Sequence, residues 1–148
     1  MIKNTTTWNS LALKPTYNCI RIICGSHWRA HTAPLFINNN LLTLPKINKF
    51  QICLFMFRFH FHLLPMSFKH YFTKGSDIHG HFTRHSHSYR SEFAHLRIKQ
   101  FSIKYLGPLL WNGLPGDLTS LLSFGLFKNS LKRFLLLNWW ICIFALFV

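Results

Sequence analysis

The amino-acid sequence predicts a mainly α fold with irregular loops, and three observations carry that prediction. Apolar residues recur at helical spacing from Pro45 to His62 and again from Leu121 to Leu135, as in helices with a buried face. Between Lys74 and Arg97 the chain is instead rich in Gly, Ser, His and Arg with weak periodicity, which reads as an exposed loop. At 148 residues there is room for one domain, since domains typically run to about 100–150 residues and bury a real core at that size.

Taken in order, residues 1 to 15 have no clear period and close on Pro15, so a loose N-terminal arm is expected over about residues 1–17. A short helix through Tyr17 to Gly25 follows, with Ile20, Ile23 and Cys24 on one face. Gly25 supplies its stop, because glycine accepts the left-handed conformation that ends many helices. Asn38, Asn39 and Asn40 mark a loop. Pro45 suits the first turn of the next helix, where its missing N–H has no partner to lose. That helix carries Ile47, Phe50, Leu54 and Phe57 at helical spacing, while Ile52, Cys53, Phe55 and Met56 make it apolar nearly all round, the pattern of a buried helix. Residues 52–57 are also an uncharged six-residue apolar window, so strand pairing and aggregation stand as alternatives.

Arg97 to Tyr105 alternates, with Ile98, Gln100, Ser102 and Lys104 against Lys99, Phe101, Ile103 and Tyr105. One short strand is expected there, ended by Gly107-Pro108. The last helix begins near Leu121, with Phe124, Phe127, Leu131, Phe134 and Leu135 forming a stripe opposite Lys128, Asn129, Lys132 and Arg133. Beyond Arg133 the chain is uncharged to Val148, 15 residues, against about 20 for a bilayer span. The segment is expected to be an apolar tail over residues 138–148, the alternative being a short membrane anchor over 134–148 flanked by Lys132 and Arg133.

Seventeen Lys and Arg face three acids, Asp77, Glu92 and Asp117, giving a formal charge of +14 and a pI near 10.3. Such a surplus attracts polyanions without regard to sequence. The expected partner is RNA or single-stranded DNA bound non-specifically, with a membrane as the alternative and no small-molecule substrate. The candidate contacts are Lys69, Lys74, Arg84, Arg90, Arg97, Lys99 and Lys104. They are interleaved with Phe68, Tyr71, Phe72, Phe82, Tyr89, Phe101 and Tyr105, rings that either stack unpaired bases or fill a core. Hydrophobic residues make up 49% and charged residues 14%, below the usual charged share of about 25%, so the chain is poorly equipped to cover an isolated globule. Four scattered cysteines imply no disulfide framework. The first ten residues lack the apolar run of a secretory signal, so an intracellular location, cytoplasm or nucleus, is expected.

Catalysis is not expected. Two-metal phosphoryl transfer needs clustered carboxylates to hold the cations, yet Asp77 and Asp117 lie 40 positions apart and neither has an acidic neighbour. Paired acids for glycosyl chemistry, a Walker phosphate loop and a Gly-x-Ser-x-Gly turn are missing. Ser, Cys and His are plentiful, but no spacing fixes a triad. The run from His79 to His87 places His81 and His85 at the i, i+4 spacing used for zinc. Two ligands are the most it offers, so a solvated loop is favoured, and neither metal nor cofactor is expected. Below about pH 6.5 these imidazoles add to the positive charge.

One stretch identifies an origin. Gly107-Pro108-Leu109-Leu110-Trp111-Asn112-Gly113-Leu114-Pro115, followed by Phe127-Lys128 and Leu131-Lys132, resembles the C-terminal, post-polymerase region of reverse transcriptases of non-LTR (LINE-class) retrotransposons. The likeness continues through Arg21 to Ile23, His31 to Phe36, Leu42 to Pro45, Lys49 to His60, Leu63 to Pro65, His79, Thr83-Arg84 and Phe101 to Tyr105, in the family's order. It covers roughly residues 18–137. Gly113 and Gly116 depart from the pattern, standing where a small polar residue and a non-glycine turn residue are expected. The parent proteins are RNA-directed DNA polymerases. The paired aspartates of their polymerase domain and their endonuclease segment are absent from this sequence. The resemblance therefore implies a non-catalytic remnant, an incomplete fragment of a larger fold. The alternative function is that of a small membrane-associated protein held by residues 134–148.

Overall fold

The computed structural model describes residues 6–77 and 86–137. Arg84, Phe82, the His79–His85 part of the histidine run and the tail over 138–148 lie outside the described residues. Among the described residues seven α-helices follow one another: α1 (Thr6–Ile23), α2 (Thr32–Asn38), α3 (Leu44–His60), α4 (Arg97–Gln100), α5 (Ile103–Asn112), α6 (Gly116–Thr119) and α7 (Phe124–Leu137), with 3-10 turns at Met66–Phe68 and Gly75–Asp77. The mainly helical expectation holds. The sole β feature among the described residues is an isolated antiparallel bridge between Lys74 and Tyr89. The chain divides into two compact units. One unit comprises the described residues up to Ile47 with those from Phe134 onward, the other the described residues from Asn48 to Arg133.

In the first unit, α1 begins at Thr6 and so corrects the expected loose arm. Pro15 lies inside this helix. An interior proline removes one ladder bond and crowds the preceding turn, at a cost of about 3 kcal/mol, yet that cost is local and the helix continues on both sides. The Thr, Asn and Ser of the first turns, weak helix formers, hid the element in the sequence. Tyr17 of α1 meets Phe36 of α2 edge-on, with ring centroids 6.0 Å apart. Arg21 Nε donates to the Ala30 carbonyl at 3.0 Å, tying α1 to the turn before α2. Lys46 is buried, and its Nζ donates to the Leu136 carbonyl at 3.3 Å.

The second unit is built on α3. Phe57 and Met56 are wholly buried. The Phe57 ring stacks on Phe127 of α7 at 4.5 Å and 25°, and Phe61, Phe124 and Trp111 lie at 4.5, 5.8 and 6.5 Å. Other faces of the same helix meet Phe72 through Phe59, at 4.9 Å, and Phe68 and Tyr71 through Phe55, at 5.6 and 6.3 Å. Rings on several sides turn the all-round apolar pattern into a core helix, which sets aside strand pairing for residues 52–57. On α7, Phe127 and Leu131 are buried while Lys128, Asn129, Lys132 and Arg133 are exposed.

Two further expectations are corrected in this unit. Residues 97–105 form no strand: α4 and the start of α5 occupy them. Gly107-Pro108, read as a terminator, lies buried inside α5. A Cβ on Gly107 would sit 2.9 Å from Met56 Sδ and 3.2 Å from Phe72 Cζ. Glycine is therefore what lets α5 approach α3, and tertiary packing overrides the local breaker signal. Nor is all of Lys74–Arg97 exposed. Gly75 N–H donates to the Ser88 carbonyl at 3.0 Å, Ser76 N–H to Ser86 at 2.8 Å and Arg90 N–H to Thr73 at 3.0 Å, and Ser86 and Tyr89 are buried. Pairing of this kind is made by backbone groups, so side-chain periodicity carries no trace of it.

Three helices end in the same hydrogen-bonded cap. After α1, Gly25 has φ +58°, its N–H donates to Ile22 and that of Ser26 to Arg21. After α2 the left-handed residue is Asn40 at φ +53°, and after α3 it is His62 at +55°, each with the corresponding pair of bonds. Glycine adopts this geometry freely, asparagine tolerates it, and histidine is strained by it. Nothing lies within 4 Å of a Cβ added to Gly25, so Gly25→Ala should lower stability by the backbone cost alone, about 1 kcal/mol. His62→Gly should raise it by about 0.5 kcal/mol. Shifts of the urea midpoint in opposite directions at these two caps check both.

Candidate nucleic-acid interface

Six of the seven candidate cations are described, and all lie in the second unit. Lys69 follows the 3-10 turn at Met66–Phe68, Arg90 follows the β-bridge, and Arg97 and Lys99 belong to α4; all four are exposed. The other two are engaged within the fold. Lys74 is half-buried, its ammonium 5.6 Å from the centre of the Tyr89 ring. Lys104 Nζ lies 3.1 Å from Glu92 Oε1, the one ion pair among the described residues, and 5.0 Å over the Tyr71 ring. The structure thus splits the set into four solvent-facing charges and two whose charge is partly spent internally.

Of the two roles the sequence left open for the interleaved rings, stacking or core, the described ones mostly take the core. Phe72 and Tyr89 are buried, Phe68, Tyr71 and Tyr105 are half-buried, and of the described candidates Phe101 alone is exposed. Phe68, Tyr71, Phe72 and Tyr89 run ring to ring at 5.6, 5.0 and 6.3 Å, as a wall over Phe55 and Phe59 of α3. Core demand claims these aromatics. Phe93, absent from the candidate set, is highly exposed, and no periodicity in the sequence marks it.

The stretch that carried the resemblance is occupied with packing. Trp111 is buried against Phe127, 5.8 Å away, and His60, 5.3 Å away. Asn112 Nδ2 donates to the Tyr89 carbonyl at 2.7 Å, and Tyr89 N–H donates to Asn112 Oδ1 at 3.1 Å. The side-chain amide thereby imitates the edge of a neighbouring strand and holds the 86–90 segment in place. The Tyr89 hydroxyl lies 2.9 Å from His60 Nδ1. Burial, and then the charge of Asp77, push that hydroxyl up to about 12. Burial, followed by Lys74 and His62, holds His60 below the ordinary imidazole value. Both groups are therefore neutral near pH 7. Aromatic rings surround them: Phe61 lies 5.1 Å from His60 and Phe59 5.8 Å from Tyr89.

The carboxylates are dispersed. Asp77 accepts from the Lys74 N–H and from Ser76 Oγ, Glu92 pairs with Lys104, and Asp117 sits in the first turn of α6. Among the described residues no three His, Cys, Asp or Glu side chains come together as metal ligands. A cleft of about 320 Å³ lined by Gln51, Ile52, Leu54, Phe55, Arg58 and Ile103 offers one cation, and the Arg58 guanidinium lies 4.8 Å over Phe124. Burial pushes the Cys53 thiol up to about 12, against a smaller lowering by Lys49, whereas Cys19 is exposed.

No family model, curated protein or solved structure matches the chain. No helix among the described residues is long and apolar enough to cross a membrane.

Asn112→Ala removes both halves of the Tyr89 clasp. Leaving two backbone groups without partners should cost about 1–3 kcal/mol, read as a lower urea midpoint. His60 gives a pH dependence whose sign follows from its lowered value in the fold. The unfolded chain binds the proton more readily, so stability is full above about pH 6.5 and declines as pH falls through that value. Urea titrations from about pH 7.5 to 5.5 should show that decline, and His60→Gln, which does not titrate, should flatten part of it.

Proposed function

We propose that the chain is a non-catalytic remnant of a non-LTR retrotransposon reverse transcriptase whose biochemistry is weak, non-specific binding of RNA or single-stranded DNA. The observation that carries the binding is the set of four exposed cations in one unit, Lys69, Arg90, Arg97 and Lys99, none within ion-pair distance of an acid among the described residues. The origin rests on the resemblance of Gly107–Pro115, and its residues fit a scaffold role. Gly107, Pro108 and Trp111 are buried and Asn112 clasps Tyr89, which suits a segment that supports a larger enzyme better than one that performs its chemistry. The dispersed carboxylates support the non-catalytic half, because two-metal polymerisation needs acids that converge.

Binding of this kind is driven by counterion release, and each phosphate neutralised on a single strand contributes about 0.7 to the slope of log affinity against log salt. Fluorescence anisotropy with a labelled single-stranded RNA tests it. Arg97→Ala with Lys99→Ala should make the slope shallower by roughly 1.4. Lys104→Ala should change it much less, because Glu92 already neutralises that charge. Salt-independent binding, or a strong preference for one sequence, overturns the reading.

A further inference from the structure

Residues 92–104 form a loop of the second unit that is closed on itself. At its neck Lys104 Nζ meets Glu92 Oε1 at 3.1 Å, and within it Gln100 Nε2 donates to the Ala94 carbonyl at 3.3 Å, folding the single turn of α4 back on the strand of chain that precedes it. The loop presents large apolar side chains to solvent: Phe93 is 85% exposed, Ile98 79%, Leu96 60% and Phe101 56%. Arg97 and Lys99 are exposed on the same turn, and Arg90 just before the neck. Glu92 is the loop's one acid, and Lys104 neutralises it.

We infer that this loop is a peripheral docking element for an anionic lipid surface. Apolar side chains of this size, four within nine residues and bare to water, mark a contact surface. Charge complementarity selects the partner, since the cations interspersed among them oppose a negatively charged face. The aliphatic members choose between polyanions. Leu96 and Ile98 have no ring to stack on a base, whereas in a bilayer they enter the acyl boundary beside Phe93 and Phe101 while Arg97 and Lys99 stay at the phosphates. The loop lies on the bilayer and does not span it. This goes beyond the proposed function, because it assigns a second polyanion and adds apolar residues that non-specific nucleic-acid binding does not use.

The test is flotation of the full chain with phosphatidylcholine vesicles, with and without phosphatidylserine at about one lipid in three. Binding should be confined to the phosphatidylserine vesicles. Phe93→Ser with Ile98→Ser should weaken it roughly tenfold at unchanged helical circular dichroism, because both side chains are solvent-facing. Arg97→Gln with Lys99→Gln should weaken it comparably while leaving the apolar residues in place. Equal binding to both vesicle types, no binding by the parent chain, or full binding by the Phe93/Ile98 variant overturns the inference. So does an equal loss of single-stranded RNA affinity in that variant, which would give the apolar residues to nucleic acid. If RNA binding is absent throughout while phosphatidylserine-dependent flotation persists, the nucleic-acid reading fails and the lipid inference stands.

Discussion

A helix that is apolar on every side has to be surrounded, and the second unit is arranged to satisfy that constraint on α3. Phe57, with no exposed surface, stacks on Phe127 and touches Phe124, Phe61 and Trp111. Phe55 and Phe59 require a second wall, which Phe68, Tyr71, Phe72 and Tyr89 provide. Ring pairs add specific geometry to area burial, about 0.5–1.5 kcal/mol per pair beyond it, so the arrangement favours one packing over many. Because these rings are committed inward, the unit shows solvent its exposed cations, the apolar residues of the 92–104 loop, and Leu63, Met66, Leu122 and Leu126.

The same constraint explains why Gly107-Pro108 is helical. α5 has to come close enough to cover Met56 and Phe72, and a residue without a side chain at position 107 permits that approach. One turn further along the helix, Trp111 adds its ring to the core, and Asn112 pins the backbone of Tyr89 and so fixes the wall from behind. Close helix approach, ring burial and backbone clasp thus come from three successive requirements on one short segment.

Features set by side-chain pattern were legible in the sequence, and features set by partners distant in the chain were not. The α3 and α7 stripes appear where Phe57, Phe127 and Leu131 fall at helical spacing, and the stop at Gly25 follows from what glycine alone accepts freely. The start of α1 was hidden by weak helix formers and by Pro15. The helical fate of residues 97–112 was hidden because nine alternating residues and a Gly-Pro pair point locally away from helix, while Met56 and Phe72, far off in sequence, decide the matter. For the candidate interface, residue type located Lys69, Arg90, Arg97 and Lys99. It could not show that Lys74 and Lys104 are drawn to aromatic rings and an acid, or that Tyr89 is wall and Phe93 is surface.

The buried thiol of Cys53 gives this molecule an internal clock. Only the thiolate attacks alkylating reagents, and Cys53 is both enclosed by the core and held protonated to about pH 12. Exposed Cys19 is open to reagent without waiting for any motion. Since α3 is the element that everything else in its unit wraps, reagent reaches Cys53 only when the wrapping comes apart. Alkylation followed at Cys53 itself, apart from the other three cysteines, therefore measures how often the core opens, in a chain that needs no label added to it.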